Sequence, residues 1–437
     1  MTASARNSLP LKSHQAAESG SQPIRYFIGL ELMRDRLEIE AALVRVEGRG
    51  LSSDVQVVDT VTAKDQRIEL ALSQDDTQPI TSEAALFNEA AQSAYLTEAA
   101  ADLVHSFTSR FHADDGLILA CVLHGFGIWS HDSIDGYRYL PRCDTSLLSK
   151  ITGLTIIDDL PGRDRAYGGH GGPVEATGIW MLLADRGKIP GRRIRAVVQF
   201  DHTLRLLLLP PRQPVQIPNH LICHELGPGQ SLLDQILLEL VDESVSDPYG
   251  KLAVQGRHRP TLLQRWEPLL DEMTSNWSPH GPATKPWLQV LREWSQTQSI
   301  SLHDALCTAI QMLTNRLAQH VKHELPRSQP VGQIILAGTG HTNAFFVREL
   351  QQKLPEVEIA FLDEEKILPA QSLGAAATAV LGQLYLDQIP ANSPALTGTA
   401  VPRVLGRLTP GNPANWHEVL ANLAETLPAK LPLRSAI

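Results

Sequence analysis

Leu154-Thr155-Ile156-Ile157-Asp158-Asp159-Leu160-Pro161-Gly162-Arg163-Asp164-Arg165-Ala166-Tyr167-Gly168-Gly169-His170-Gly171-Gly172-Pro173 opens as a buried strand and closes as a segment no core can hold. From Asp158 onward, sixteen residues carry five glycines, three aspartates and two arginines. Carboxylates at the C-terminal end of a strand, followed by glycines that let the backbone approach a ligand, are what an α/β active site supplies. Glycine clusters also make plain connecting loops, so both readings stand at this point.

Strand and helix patterns alternate on either side of that stretch. Strands are expected at Tyr26–Leu30, Ala41–Glu47, Val55–Val61 and Arg67–Leu72, with the charged segment Glu31–Glu40 joining the first two. An Ala-rich helical pattern follows over Ser82–His112, then a strand at Leu117–Leu123 and a short helix at Ser146–Thr152. Further on come a helix within Gly172–Lys188, a hairpin at Arg195–Phe200 and Thr203–Leu209, and a helix at Gln230–Val241. The segment Ser246–Pro286 is rich in Pro and Trp and irregular. A helix at Ser301–Glu324, strands at Val331–Leu336 and Val357–Phe361, and helices at Asn343–Leu354 and Leu373–Leu386 complete the pattern.

This alternation argues for α/β layers, and a hairpin followed by βαβ units argues for two lobes. The expected division is a disordered tail over 1–23, a first lobe over 24–140 to which 371–413 returns, a second lobe over 141–370, and an appendage over 414–437. At 437 residues the chain can bury two substantial cores. Its 48 acidic and 38 basic residues, without a basic tract, argue against a nucleic-acid partner. Cys121, Cys143, Cys223 and Cys307 are scattered, which fits reduced thiols in a cytoplasmic protein. No apolar run is long enough to span a bilayer, and no membrane association is expected.

Other segments carry candidate chemistry. Gly338-Thr339-Gly340-His341-Thr342-Asn343 lies between a strand and a helix, where backbone N–H groups attract phosphate, and Asp363 ends the next strand. A nucleotide contact and a tight structural turn are both open for it. Gly227-Pro228-Gly229 starts another helix, after His220, Cys223 and His224, whose spacing could suit a metal, although Pro218 and the glycines oppose a helix there. His124 and His131 follow a strand end and could touch a substrate or simply pack. No P-loop and no G-x-S-x-G elbow is present.

Taken in order, several motifs resemble the anhydro-N-acetylmuramic acid kinases, members of the two-lobed actin/hexokinase-like (ribonuclease H-like) superfamily. They are Tyr26–Leu30 with Ala41–Val44, His124-Gly125 with Ile128-Trp129, Asp144 before Leu147-Leu148, and Thr152–Ile157. The order continues through Asp159 to Pro173, Gly227-Pro228-Gly229 with Leu233-Asp234, Gly338-Thr339-Gly340 with Asn343, and Leu396-Thr397-Gly398 with Pro402–Gly406.

The resemblance implies a cleft between lobes, a small amino-sugar substrate, ATP and Mg²⁺, and a homodimer. It also implies a reaction. Water attacks the anomeric carbon of 1,6-anhydro-N-acetylmuramic acid while the 6-oxygen takes the γ-phosphoryl of ATP, in recycling of the cell wall. By position, Asp164 is the expected water-activating base and Asp159 the second carboxylate. Arg163, Gly168, Gly169, His170, Gly171 and His124 are expected at the sugar, and Gly227, Gly229, Gly338, Gly340 and Asn343 at the nucleotide. No metal ligand is assigned.

Four segments depart from the family pattern. Its first turn, M-S-G-T-S-x-D-G-x-D, is replaced by Glu31-Leu32-Met33-Arg34-Asp35-Arg36-Leu37-Glu38-Ile39-Glu40, which has no glycine to form a phosphate nest. N-I-G-G-I-A-N is replaced by Gln199-Phe200-Asp201-His202-Thr203-Leu204-Arg205, with both glycines gone. F-D-T-G-P-G-N has become the stretch Cys223 to Gln230, and D-x-x-E-A has become Gln371-Ser372-Leu373-Gly374-Ala375. Three readings follow. One is a kinase in which Arg34, Arg36 or Arg205 replaces the lost phosphate donors. Another is a non-catalytic member that binds a muropeptide sugar or a partner. A third is hydrolysis of the anhydro bridge by Asp159 and Asp164 without ATP.

Overall fold

An apolar hairpin made of β1 (Ile24–Met33) and β2 (Glu38–Glu47) starts the chain's first sheet, paired antiparallel from Ile24 opposite Glu47 to Met33 opposite Glu38. Both strands are apolar on both faces because the sheet is covered on both sides. Phe27, Ala42 and Val44 enter one core and Tyr26, Ile28 and Leu30 another. The computed structural model describes residues 23–72, 83–111, 116–132, 136–185, 194–241, 247, 249–273, 279, 281–324, 330–365 and 368–426. The expected tail at 1–23 lies, apart from Pro23, outside the described residues.

The remaining strands are β3 (Asp54–Ala63), β4 (Ile118–His124), the hairpin β5 (Gly127–Asp132) and β6 (Gly136–Pro141), and β7 (Thr155–Asp158). They continue as β8 (Ile194–Phe200), β9 (Thr203–Leu209), β10 (Ile222–Pro228), β11 (Val331–Ala337), β12 (Glu358–Phe361) and β13 (Arg407–Thr409). One sheet has the order β13-β7-β4-β1-β2-β3 and the other β10-β9-β8-β11-β12. Each begins with an antiparallel meander whose first strand then pairs parallel with the later ones: β1 with β4, and β8 with β11. A ribonuclease H-like α/β unit is therefore built twice in one chain, which makes the two lobes.

The helices Ala176–Leu183 and Leu373–Leu386 lie between the sheets and share one core with residues of both, including Val122, Ile157, Val197 and Ile335. They approach at backbone distance. A Cβ at Gly29 would overlap the backbone of Ala375 and Ala379, and one at Gly178 would overlap Ala377. The outer face of the first sheet is covered by the helix Glu83–Thr108, through Leu96, Ala100 and Val104. The helices Gln230–Val241 and Leu302–Gln319 cover the second sheet.

Several expectations change. β7 hydrogen-bonds to β4, so the first lobe runs past the boundary expected at 140, and the second sheet begins with β8. Gln66–Leu72 is a helix instead of a strand, because Asp65 Oδ1 accepts the N–H groups of Arg67 and Ile68 at 2.8 and 3.2 Å. The helix Pro413–Thr426 is no appendage. Asn415 donates to the carbonyls of Ile118 and Leu119 and accepts from the Thr155 N–H, while Arg25 joins Asp387 and Asn422 in a buried network. The Pro- and Trp-rich segment contributes Trp266 to the second core, where it meets Trp287 from just beyond the segment. No helix among the described residues is long and apolar enough to cross a membrane.

Candidate functional site

The parallel strands β1, β4 and β7 of the first sheet, and β8 and β11 of the second, end at one cleft, where the loops that follow them meet. The cleft holds a cavity of about 560 Å³ lined by residues of both lobes. Strand register places a polar row on its floor: Glu31 on β1 stands opposite Glu40 on β2 and opposite His124 on β4. Glu31 and His124 line the cavity, and Glu175 joins them from the entrance of the buried helix Ala176–Leu183. Trp129 and Tyr139 form one wall, with ring centroids 5.0 Å apart, on the β5–β6 hairpin. An aromatic face beside hydrogen-bonding groups suits the apolar face and hydroxyl edge of a sugar ring.

Charges in the cleft are mostly engaged. Arg205 Nη1 lies 3.3 Å from Glu175 Oε1, and His124 Nε2 lies 3.8 Å from Glu175 Oε2. Arg36 bridges Glu38 and Glu40 at 2.6 and 2.7 Å, and Arg34 donates to the Gly127 carbonyl at 3.0 Å. Burial, reinforced by Glu175, Glu40 and Asp201, holds the Glu31 carboxyl well above the ordinary range. Burial pushes Glu40 up to about 8 against the pull of Arg36. His124 is pushed below the usual histidine range by burial and by Arg205, although Glu175 opposes this.

The expected sugar-side residues divide. Gly171 and His124 reach the cavity, and Trp129 packs where a Cβ at Gly171 would stand. Asp164 does not line the cavity. It is wholly buried and accepts from the Gly171 N–H at 2.8 Å, Asn392 Nδ2 at 2.6 Å and Thr397 Oγ1 at 2.7 Å. Both its oxygens accept hydrogen bonds that tie the glycine loop to residues 392–397.

Asp159 also lies off the cavity lining, in a left-handed conformation at φ 55° where its carboxylate covers Gly162, with its carboxyl raised by burial and by Asp158. Arg163 stacks on the exposed Tyr167 ring at 4.9 Å. The His170 N–H donates to the Thr397 carbonyl at 2.7 Å, and its ring covers Gly398. Gly169 lies under the Asp164 carboxylate, whereas Gly168 faces open space.

On the nucleotide side the loop after β11 is already occupied. Asp201, in the turn between β8 and β9, accepts the Thr339 N–H at 2.8 Å, and its carboxylate fills the space a Cβ at Gly338 would need. Gly340 packs on Phe200, and Asn343 caps the helix Ala344–Lys353 by accepting the Phe346 N–H at 3.0 Å. Gly227 packs on Leu270, and Gly229 donates to the His202 carbonyl at 2.8 Å. None of these five lines the cavity. Asp363 faces His341 Nε2 at 3.3 Å.

A triphosphate would reach the Thr339 N–H only where the Asp201 carboxylate gives it up. A carboxylate holds the loop N–H, and the first turn has no glycine. Among the described residues, no three His, Cys, Asp or Glu side chains are placed to hold a metal ion. The spacing of His220, Cys223 and His224 yields no metal site, because residues 222–228 form strand β10 instead of a helix, and the His224 ring packs against His320 at 5.0 Å.

Glu31, Glu175 and Asp201 are the groups that sequence reasoning did not assign to the site. The first two had a signal: each is a lone acid within or at the head of an otherwise apolar element. Asp201 had one as well, since it stands where the family motif has a glycine.

The sequence profile of the family described as "Anhydro-N-acetylmuramic acid kinase" matches residues 41–411. An anhydro-N-acetylmuramic acid kinase of Synechococcus elongatus is 29% identical over 265 residues, covering 59% of this chain and 67% of the relative. One from Pseudomonas paraeruginosa is 29% identical over 269 residues, covering 61% and 68%. Among solved structures, a ligand-bound xylulose kinase from Lactobacillus acidophilus aligns with 92% of this chain and 97% of its own, at a TM-score of 0.41 and 8% identity. The ROK hexokinase of Thermus thermophilus aligns with 82% and 98%, at a TM-score of 0.31 and 14% identity. On the extent of the profile match, the chain belongs to the anhydro-N-acetylmuramic acid kinase family.

Proposed function

We propose that this protein is an amino-sugar kinase of peptidoglycan turnover that takes 1,6-anhydro-N-acetylmuramic acid into the cleft between its sheets. The observation that carries the reading is the sugar-sized cavity walled by Trp129 and Tyr139, in a chain that matches the family over residues 41–411. In this reading the aromatic wall takes the apolar face of the sugar. His124 and the Glu175–Arg205 pair take its hydroxyl, amide or carboxylate groups. Asp164 holds the glycine loop beneath Trp129. Phosphate from a nucleotide would meet the Thr339 N–H only after displacing Asp201.

A second reading, a sugar-binding member without phosphoryl transfer, is favoured by that Asp201–Thr339 hydrogen bond. Mass spectrometry of the purified protein with the anhydro sugar, ATP and Mg²⁺ separates the two. A hydrated monophosphate of the sugar supports the kinase. A sugar-induced rise in melting temperature with no phosphorylated product supports the second reading. Neither product nor thermal shift overturns both.

A further inference from the structure

Arg110, Arg259, Arg265, Arg292, Arg348 and Arg407 are exposed, and each lies within ion-pair distance of a carboxylate. Arg163 and Arg403 are exposed as well, but among the described residues no carboxylate pairs with either. Both guanidiniums lie instead over one ring, that of Tyr167, at 4.9 and 4.8 Å from its centroid. Asp159 feels the charge of Arg163 without pairing with it, because its carboxylate is turned onto Gly162. Stacking orients a guanidinium plane and leaves its N–H edge for an anion. Tyr167 is itself 39% exposed, and Val401 is 49% exposed. The Thr399 hydroxyl joins these two, at 3.3 Å from the Tyr167 carbonyl and 3.2 Å from the Val401 carbonyl.

This stack stands at the rim of the sugar-sized cavity. The helix Leu160–Arg165 places Pro161 on the cavity lining and Arg163, two residues further on, at the surface. Two residues of chain span at most about 7 Å. Gly171 also lines the cavity, and Gly168, between it and Tyr167, faces open space. Arg403 is tied to the same wall. Its N–H donates to Asn392 Oδ1 at 2.6 Å, and Asn392 Nδ2 donates to the Asp164 carboxylate that accepts the Gly171 N–H.

We propose that Arg163, Tyr167 and Arg403 form a subsite beside the cleft for the carboxylates of a short acidic peptide carried on the sugar. The inference rests on the sugar reading above and narrows its substrate class to a peptide-bearing 1,6-anhydro amino sugar. The sugar stays in the cavity. A dipeptide joined to it spans roughly 7 Å, which matches the reach from Pro161 to Arg163. Its carboxylates meet the two guanidiniums, and Val401 offers an apolar contact to its aliphatic part. A short peptide suits this surface better than a polyanion, because the chain carries a net charge of −10 and the stack offers two cations.

Calorimetric titration of the full chain compares 1,6-anhydro-N-acetylmuramic acid with the same sugar carrying L-alanyl-D-glutamate, whose glutamate has two free carboxylates. At low salt the peptide form should bind about three- to thirtyfold more tightly, the range that two exposed ion pairs supply. Salt at about 1 M should erase most of that difference. Arg163→Gln combined with Arg403→Gln should bring the ratio of the two affinities close to one. Equal or weaker binding of the peptide form by the wild type, or an advantage that survives loss of both arginines, overturns the subsite and leaves the sugar reading intact. Free dipeptide that binds as tightly as the linked one overturns its attachment to the sugar. Binding of neither form overturns both the subsite and the sugar reading.

Discussion

The two sheets share one order over five strands, yet the first-lobe side of the cleft is open and the second-lobe side is latched. In the first, β1, β4 and the β5–β6 hairpin present Glu31, His124, Trp129 and Tyr139 to an open cavity. In the second, the turn between β8 and β9 sends Asp201 onto the loop after β11, where it accepts the Thr339 N–H. Identical topology therefore does not preserve a ligand site. What a loop N–H binds depends on whether a side chain nearby can reach it first. At position 201, where the family motif has glycine, this chain has a carboxylate that does reach it.

A second exchange lies on the other side of the cleft. The motif's glutamate falls on Gly374, and the carboxyl of Glu31 occupies the space a side chain there would need. An acid on the neighbouring strand thus fills the space beside that helix start.

The largest effect should come from Asp164→Ala. Removing a buried carboxylate with three donors leaves the Gly171 N–H, Asn392 and Thr397 unpaired, and the expected loss is about 3–5 kcal/mol of stability by denaturant titration. A loss below about 1 kcal/mol would mean the loop is held by something else. The two glycine loops can then be compared directly. Gly338→Ala and Gly168→Ala both force a side chain into positive φ, at 85° and 82°. Each should lose roughly 1–2 kcal/mol from the backbone alone, but only the first also collides with the Asp201 carboxylate. Equal losses in the two variants would argue that Asp201 is not seated on the loop.

The smallest effect is a slope. The folded Glu40 carboxyl is raised to about 8. Folding therefore takes up a proton between the ordinary carboxyl range and that value. The contribution of Glu40 is fully present below the unfolded value and fades as the pH rises through about 8. Melting temperature measured from pH 5 to pH 9 should fall more steeply for the wild type than for Glu40→Gln. Parallel curves would remove the raised carboxyl from the account.

Most strands and the Leu373–Leu386 helix were legible because apolar runs and their breaks are local properties. Gln66–Leu72 was misread because a single Asp65 cap outweighs a strand-like pattern. The lobe boundary was misplaced because pairing of β7 with β4 is a long-range property. At the site, the glycine loop and His124 were legible by composition. The burial of Asp164 was not, because its partners Asn392 and Thr397 lie more than two hundred residues away. Asp159 and Asp164 stand close together in sequence, whereas the acids that line the cavity, Glu31, Asp35, Glu175 and Asp201, come from three separate stretches of the chain.

Calorimetric titration of ATP–Mg²⁺ into wild type and into Asp201→Gly, each saturated with 1,6-anhydro-N-acetylmuramic acid, tests the latch most directly. Release of the Thr339 N–H should tighten nucleotide binding at least about tenfold in the variant, equivalent to ~1.4 kcal/mol, with sugar affinity unchanged. Equal or tighter nucleotide binding by the wild type would contradict the account.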